Sequence, residues 1–117
     1  MGLDQYAFAR KKEEYASGDE EDVAIEIATW RKHANLEGWM SDLFHERGGK
    51  GDFNCIELRL FESDLLKLEQ QYQSLDTAGG FFWGESQLED NDITLSFINK
   101  AKELIAEGYE IVYSSWW

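Results

Sequence analysis

The sequence predicts an α+β domain: one mostly antiparallel sheet of about four strands with about three helices packed on one face. Apolar residues recur at period two and at period three to four in the order β-β-α-β-α-α-β, which favours that layout over a doubly wound parallel sheet. A length of 117 residues suits a single domain, residues 1–117, able to bury about two-thirds of its unfolded surface. Hydrophobic residues at 43% and aromatics at 15% are too many for a disordered chain.

Each element has its own signal. Tyr6-Ala7-Phe8-Ala9-Arg10 alternates large and small residues and predicts a short first strand. Lys11 to Asp22, with its glutamates and Ser17-Gly18-Asp19, predicts a mobile loop. Val23, Ile25 and Ile27 predict a second strand, with the change to helical period placed near Trp30. Ala34, Leu36, Trp39, Met40 and Leu43 form a helical stripe that Gly48-Gly49 ends. Phe53 to Phe61 predicts a third strand, with Asn54, Ile56, Leu58 and Leu60 on one side and Cys55, Glu57 and Arg59 on the other.

Ser63 or Asp64 is the expected cap of a second helix carrying Leu65, Leu68, Tyr72 and Leu75. Asp76 to Gly84 reads as a loop or short strand around Gly79-Gly80-Phe81-Phe82-Trp83-Gly84. Asp90, Asn91 and Asp92 offer a third cap before the clearest stripe, Ile93, Phe97, Ala101, Leu104 and Ile105, and Gly108 stands where a C′ glycine belongs. Tyr109, Ile111 and Tyr113 alternate with Glu110, Val112 and Ser114 in a last strand, which Ser115-Trp116-Trp117 continues without a breaker. The chain has no proline, so its turns fall to ten glycines and to Asn, Asp and Ser.

A net charge of −13 argues against general nucleic-acid binding and against docking on anionic lipid, both of which need cations. The charge is uneven: residues 31–60 balance, while acids dominate on either side. No apolar run has the length of a membrane-spanning helix, and MGLDQYAF lacks the basic-then-apolar pattern of a secretory signal. The one cysteine, Cys55, cannot form an internal disulfide, which fits a reducing cytoplasm.

Five segments considered together resemble a group of small, uncharacterised proteins encoded by tailed bacteriophages. They are Met1-Gly2-Leu3-Asp4, Trp30-Arg31-Lys32-His33-Ala34-Asn35-Leu36, Phe53-Asn54-Cys55, Gly80-Phe81-Phe82-Trp83-Gly84 and Tyr113-Ser114-Ser115-Trp116-Trp117. The resemblance implies phage origin and action in the cytoplasm of an infected bacterium. It brings no catalytic residue with it.

The residues give weak grounds for chemistry. His33 and Glu37 stand four apart on one face of the first helix, with His45 near its end, and these are the only metal candidates; zinc needs three or four converging ligands. The ordinary alternative is an exposed helix pair, with His45 at the C-terminal dipole. Asp90-Asn91-Asp92 fails the calcium-loop pattern, which asks for glycine where Leu95 stands and glutamate where Ala101 stands. Arg47-Gly48-Gly49-Lys50-Gly51-Asp52 lacks the strand-loop-helix order of a phosphate loop and reads as a helix stop. Cys55, in mid-strand, is expected to be a small buried hydrophobe rather than a nucleophile, with partial exposure the alternative because it shares a side with Glu57 and Arg59. No catalytic residue and no cofactor is assigned.

The aromatics carry more. Five tryptophans in 117 residues include Trp83, Trp116 and Trp117 in glycine-bounded or terminal segments. Rings of this kind anchor protein interfaces because they bury much area at little rotamer cost. Phe81, Phe82, Trp83 and Trp117 are therefore the candidate interface, while Trp116 is expected to pack. The function that follows is non-catalytic binding of a protein partner, with no direct nucleic-acid or membrane contact and with homo-oligomerisation open. One alternative is a small-molecule-binding domain or small enzyme with a pocket near Gly79–Gly84. The other is an acidic nucleic-acid mimic.

Overall fold

The computed structural model describes residues 3–11, 25–51, 53–75 and 89–117. The expected loop of Lys11 to Asp22 lies, beyond Lys11, outside the described residues, as do Val23 and the segment holding Phe81, Phe82 and Trp83. Strands β1 (Asp4–Lys11) and β2 (Ile25–Arg31) come first, then helix α1 (Ala34–Glu46), strand β3 (Leu58–Leu60), helix α2 (Glu62–Gln71) with a 3₁₀ turn at Tyr72–Ser74, helix α3 (Glu89–Ala106) and strand β4 (Tyr109–Trp116). The sheet is antiparallel throughout, in the order β2-β1-β4-β3. The α+β architecture with three helices over one face is the one that the periodicity predicts.

One core lies between the sheet and the helices. Ala7, Ala9, Trp30, Leu58, Leu60, Ile111 and Tyr113 meet Leu36, Met40, Leu65, Leu68, Phe97, Ile98 and Ala101 there. Strand β1 turns its small residues inward: Ala7 and Ala9 are fully buried, while Tyr6 and Phe8 stand half-buried on the opposite face. Small side chains at the centre of the sheet leave room for large ones from above, and Trp30 meets Phe97 edge to face at 5.3 Å. A bulge between Ala7 and Phe8 breaks the β1–β2 register, so Ala28 opposes Ala7 and Glu26 opposes Phe8. Strand β2 runs through Trp30 to Arg31, so the change of period falls after Trp30.

Several local expectations are corrected. The Phe53–Phe61 strand is interrupted, and only Leu58–Leu60 pairs regularly with β4. Cys55 is exposed in a turn with φ of +65°, so it is not a buried mid-strand hydrophobe; its exposure agrees with the side it shares with Glu57 and Arg59 in the alternation. The segment nonetheless follows β4: the Cys55 N–H donates to the Ser115 carbonyl at 2.8 Å. Helix α2 is capped by Phe61 rather than Ser63 or Asp64, its extended backbone (φ −95°, ψ 169°) leading into the helix. Asp64 acts one turn in, where its carboxylate accepts from the Phe61 N–H at 2.8 Å.

Helix α3 starts at Glu89, which places Asp90 to Asp92 in its first turn instead of at its cap. Its inward stripe is Thr94, Phe97, Ile98, Ala101 and Leu104, and Ile93 is exposed. Gly108 follows the helix at φ +98°, the left-handed conformation of a C′ glycine. Gly48, at φ +92°, ends α1 as expected. The two last tryptophans exchange places relative to expectation: Trp116 is 62% exposed, whereas Trp117 is half-buried. Alternation along β4 puts Ile111, Tyr113 and Ser115 toward the helices, so Trp116 must point the other way.

Candidate functional site

Two features stand out, one on each side of the sheet. The first is a buried polar network at the start of α1. Glu37 lies on the first turn of α1 and is fully buried. Its carboxylate accepts from the Tyr113 hydroxyl at 2.6 Å, the Ser115 hydroxyl at 2.8 Å and the Trp117 indole N–H at 3.0 Å. Burial pushes the Glu37 carboxyl up, and the three donors pull the other way. The Tyr113 hydroxyl is held well above its ordinary value by burial and by the Glu37 charge.

That hydroxyl also accepts from Gln5 Nε2 at 2.9 Å. The Gln5 amide in turn clasps the His33 backbone, donating to its carbonyl at 3.1 Å and accepting from its N–H at 2.9 Å. Asn54 does the same for Trp117, donating to its carbonyl and accepting from its N–H, both at 2.8 Å. Each amide therefore stands in for the missing partner of a strand end, and buried backbone groups must find such partners. His33 is buried with its Nδ1 3.7 Å from an Asp90 carboxylate oxygen, and burial holds its ring below the ordinary value against the pull of Asp90. Thr94 closes the far side, accepting from the Trp30 indole at 2.9 Å and donating to the Asp90 carbonyl at 2.9 Å.

His33 and Glu37 are thus buried, contrary to the expected exposed helix pair. They are also separated by role: Glu37 serves β4, and His33 faces α3. His45 is at the other end of α1, with Nε2 2.9 Å from the Gly51 carbonyl, so the three metal candidates do not converge. Among the described residues no group of three His, Cys, Asp or Glu side chains is placed to hold a metal. A carboxylate that already accepts three hydrogen bonds is suited to holding elements together. Here it ties α1 to the last strand.

The second feature is the sheet face turned away from the helices. Tyr6 and Phe8 of β1, Thr29 of β2, and Val112, Ser114 and Trp116 of β4 lie on it; Val112 is buried, Tyr6, Phe8 and Ser114 are half-buried, and Trp116, directly across from Asp4, is exposed. Three of the chain's four arginines face the same way, each beside a carboxylate. Arg31 pairs with Asp4 at 3.3 Å; Arg10 reaches Glu110 at 3.0 Å and Glu57 at 3.2 Å; Arg59 meets Glu110 at 3.5 Å. The fourth, Arg47, turns to Asp64 and donates to the Arg59 carbonyl at 2.6 Å.

Of the candidate interface residues, Trp117 belongs to the buried network, and Phe81, Phe82 and Trp83 lie outside the described residues. Trp116 was missed. The signal for it was present in the alternation of β4, which puts position 116 opposite Tyr113 and Ser115; the assumption that a penultimate tryptophan must pack overrode it. Among the described residues no helix is long and apolar enough to cross a membrane. No family model matches this sequence, and neither the curated proteins nor the solved structures supply a match.

Proposed function

We propose that this chain is a phage-encoded accessory protein that works by binding a protein partner in the cytoplasm of the infected bacterium, without catalysing a reaction. The observation that carries the binding part is Trp116, 62% exposed across from Asp4 on the sheet face turned away from the three helices. An exposed indole beside the Arg31–Asp4 ion pair resembles the centre and rim of an interface, where a ring supplies the energy and the charges supply register. The phage part rests on the resemblance of the five segments alone.

A photoreactive phenylalanine analogue at position 116 tests the binding reading. Illumination in infected-cell lysate is expected to give one discrete covalent adduct with a protein. The same analogue at Leu66, an exposed residue of α2 on the helical side, is the control. Identical smears from both positions would overturn the reading.

A further inference from the structure

We propose that Asn54 and Glu37 are positioning residues for the Trp116 indole: from two separate parts of the chain they hold the residues on either side of it, so that the ring is presented in one orientation before a partner arrives. The inference rests on reading Trp116 as the binding residue, and it names what prepares that residue. The end of β4 needs such support. Strand β3 pairs regularly with β4 only from Ile111 to Tyr113. Beyond Tyr113 the regular ladder continues on the β1 side alone, as far as the Asp4–Trp116 pair. A strand end laddered along one edge opens readily, because each opening recovers backbone entropy at the loss of few bonds.

The segment from Phe53 to Cys55 supplies the first hold. Phe53 is buried, with its ring 5.1 Å from that of Phe44 and stacked on Tyr113 at 6.0 Å, which fixes the segment to the core. Its next two residues reach β4 on both sides of position 116. The Cys55 N–H donates to the Ser115 carbonyl at 2.8 Å. The Asn54 side-chain amide takes both backbone groups of Trp117, each at 2.8 Å, as the next rung of a ladder would.

Glu37 supplies the second hold, and it grips the same two residues. Its carboxylate accepts from the Ser115 hydroxyl at 2.8 Å and from the Trp117 indole at 3.0 Å. Residues 115 and 117 are thus each held both by α1 and by the Asn54–Cys55 pair. Trp116 lies between them, turns to the opposite face of the strand and is 62% exposed. With the backbone fixed before and after it, the indole has little beyond its own side-chain torsions left to settle. A partner then meets a ring whose backbone was ordered by folding. Ordering one residue's backbone at the moment of binding would otherwise weaken affinity by about tenfold.

Amide hydrogen exchange on the purified chain, together with photo-crosslinking from position 116, tests this. Asn54→Ala is expected to speed exchange at residues 115–117 by about tenfold or more while the Phe97 and Ile98 amides stay protected. It is also expected to cut the yield of the photo-adduct by about tenfold at limiting concentration. Trp117→Phe, which keeps a ring but gives Glu37 no N–H, is expected to act in the same direction to a smaller degree. It takes the place of Asn54→Ala if that variant does not fold. Ile98→Val trims the core on α3 and is expected to leave the adduct unchanged, which separates positioning from general stability. Unaltered exchange at residues 115–117 would overturn the proposal. So would faster exchange with an undiminished adduct, or an adduct that falls as far in Ile98→Val. The absence of any discrete adduct from position 116 in the otherwise unaltered chain overturns the binding reading itself, and the positioning role with it.

Discussion

Glu37 is the residue on which the helical side of the sheet converges, and its protonation has a worked sign. Its folded-state value is raised from the ordinary 4.5, so its contribution to stability is full at low pH and is lost as pH rises through the raised value. His33 is lowered from the ordinary 6.5, so its contribution is full above 6.5 and is lost as pH falls. Between those two ordinary values the slopes oppose each other. Glu37→Gln removes the first and leaves the second. The variant is expected to lose stability on acidification from pH 6.5 to 4.5 more steeply than the wild type. It should also cost about 1–3 kcal/mol at neutral pH, because an amide cannot accept from all three donors. Urea midpoints across that range measure both, and parallel curves for the two proteins would contradict the assignment. The neighbouring tryptophans make a second contrast. Trp116→Ala should fall within about ±0.5 kcal/mol, as exposed substitutions do, whereas Trp117→Ala should cost clearly more, since it orphans a Glu37 lone pair and removes half-buried area.

Among the elements, α3 shows the closest agreement between pattern and packing. Phe97, Ala101 and Leu104 are buried on the sheet as their spacing predicts, and Thr94 and Ile98 complete the inward stripe where the pattern had Ile93. Phe97 touches Trp30 and is fully buried, so Phe97→Ala should cost about 3–5 kcal/mol by loss of area and creation of a cavity. A thermal shift of only a degree or two would place the ring elsewhere. The end of the helix has a separate cause. At Gly108, φ is +98° and an added Cβ would meet nothing within 4 Å, so Gly108→Ala should cost about 1–2 kcal/mol from backbone strain alone. Gly49 is different: a Cβ there would lie 2.4 Å from the Phe44 ring, so substitution acts through packing. Strand β3 was the least legible element. The alternation of Phe53 to Phe61 is regular, but Asn54 spends its side chain on the Trp117 backbone and Cys55 turns to positive φ.

The whole molecule carries a net charge of −13 against seven described arginine or lysine ion pairs, most of them at the surface. Exposed pairs contribute little individually, so the net repulsion is the larger long-range effect. The melting temperature is expected to rise between about 20 and 300 mM salt as the Debye length shrinks from about 20 Å to below 8 Å. A falling melting temperature would mean that the arginine network on the sheet face away from the helices outweighs the repulsion. Measurement at a concentration low enough to keep the chain monomeric separates this from self-association.

Periodicity is a property of the local chain, and it was enough for the element order, the antiparallel sheet, the single helical layer and the glycine stops at Gly48 and Gly108. The signal for each element is carried by residues within a few positions of one another. The candidate sites depend on residues far apart. Glu37 finds its donors 76 to 80 positions away, and the burial of His33 depends on Asp90 of another helix. Whether a charged residue is exposed is decided by what the fold lays over it, which no local period encodes. The same holds for β1, where alternation marks two faces without saying which is inward. Ala7 and Ala9 face the core because Phe97, Leu36 and Met40 need the space, and that choice leaves Tyr6, Phe8 and Trp116 on the side away from the helices.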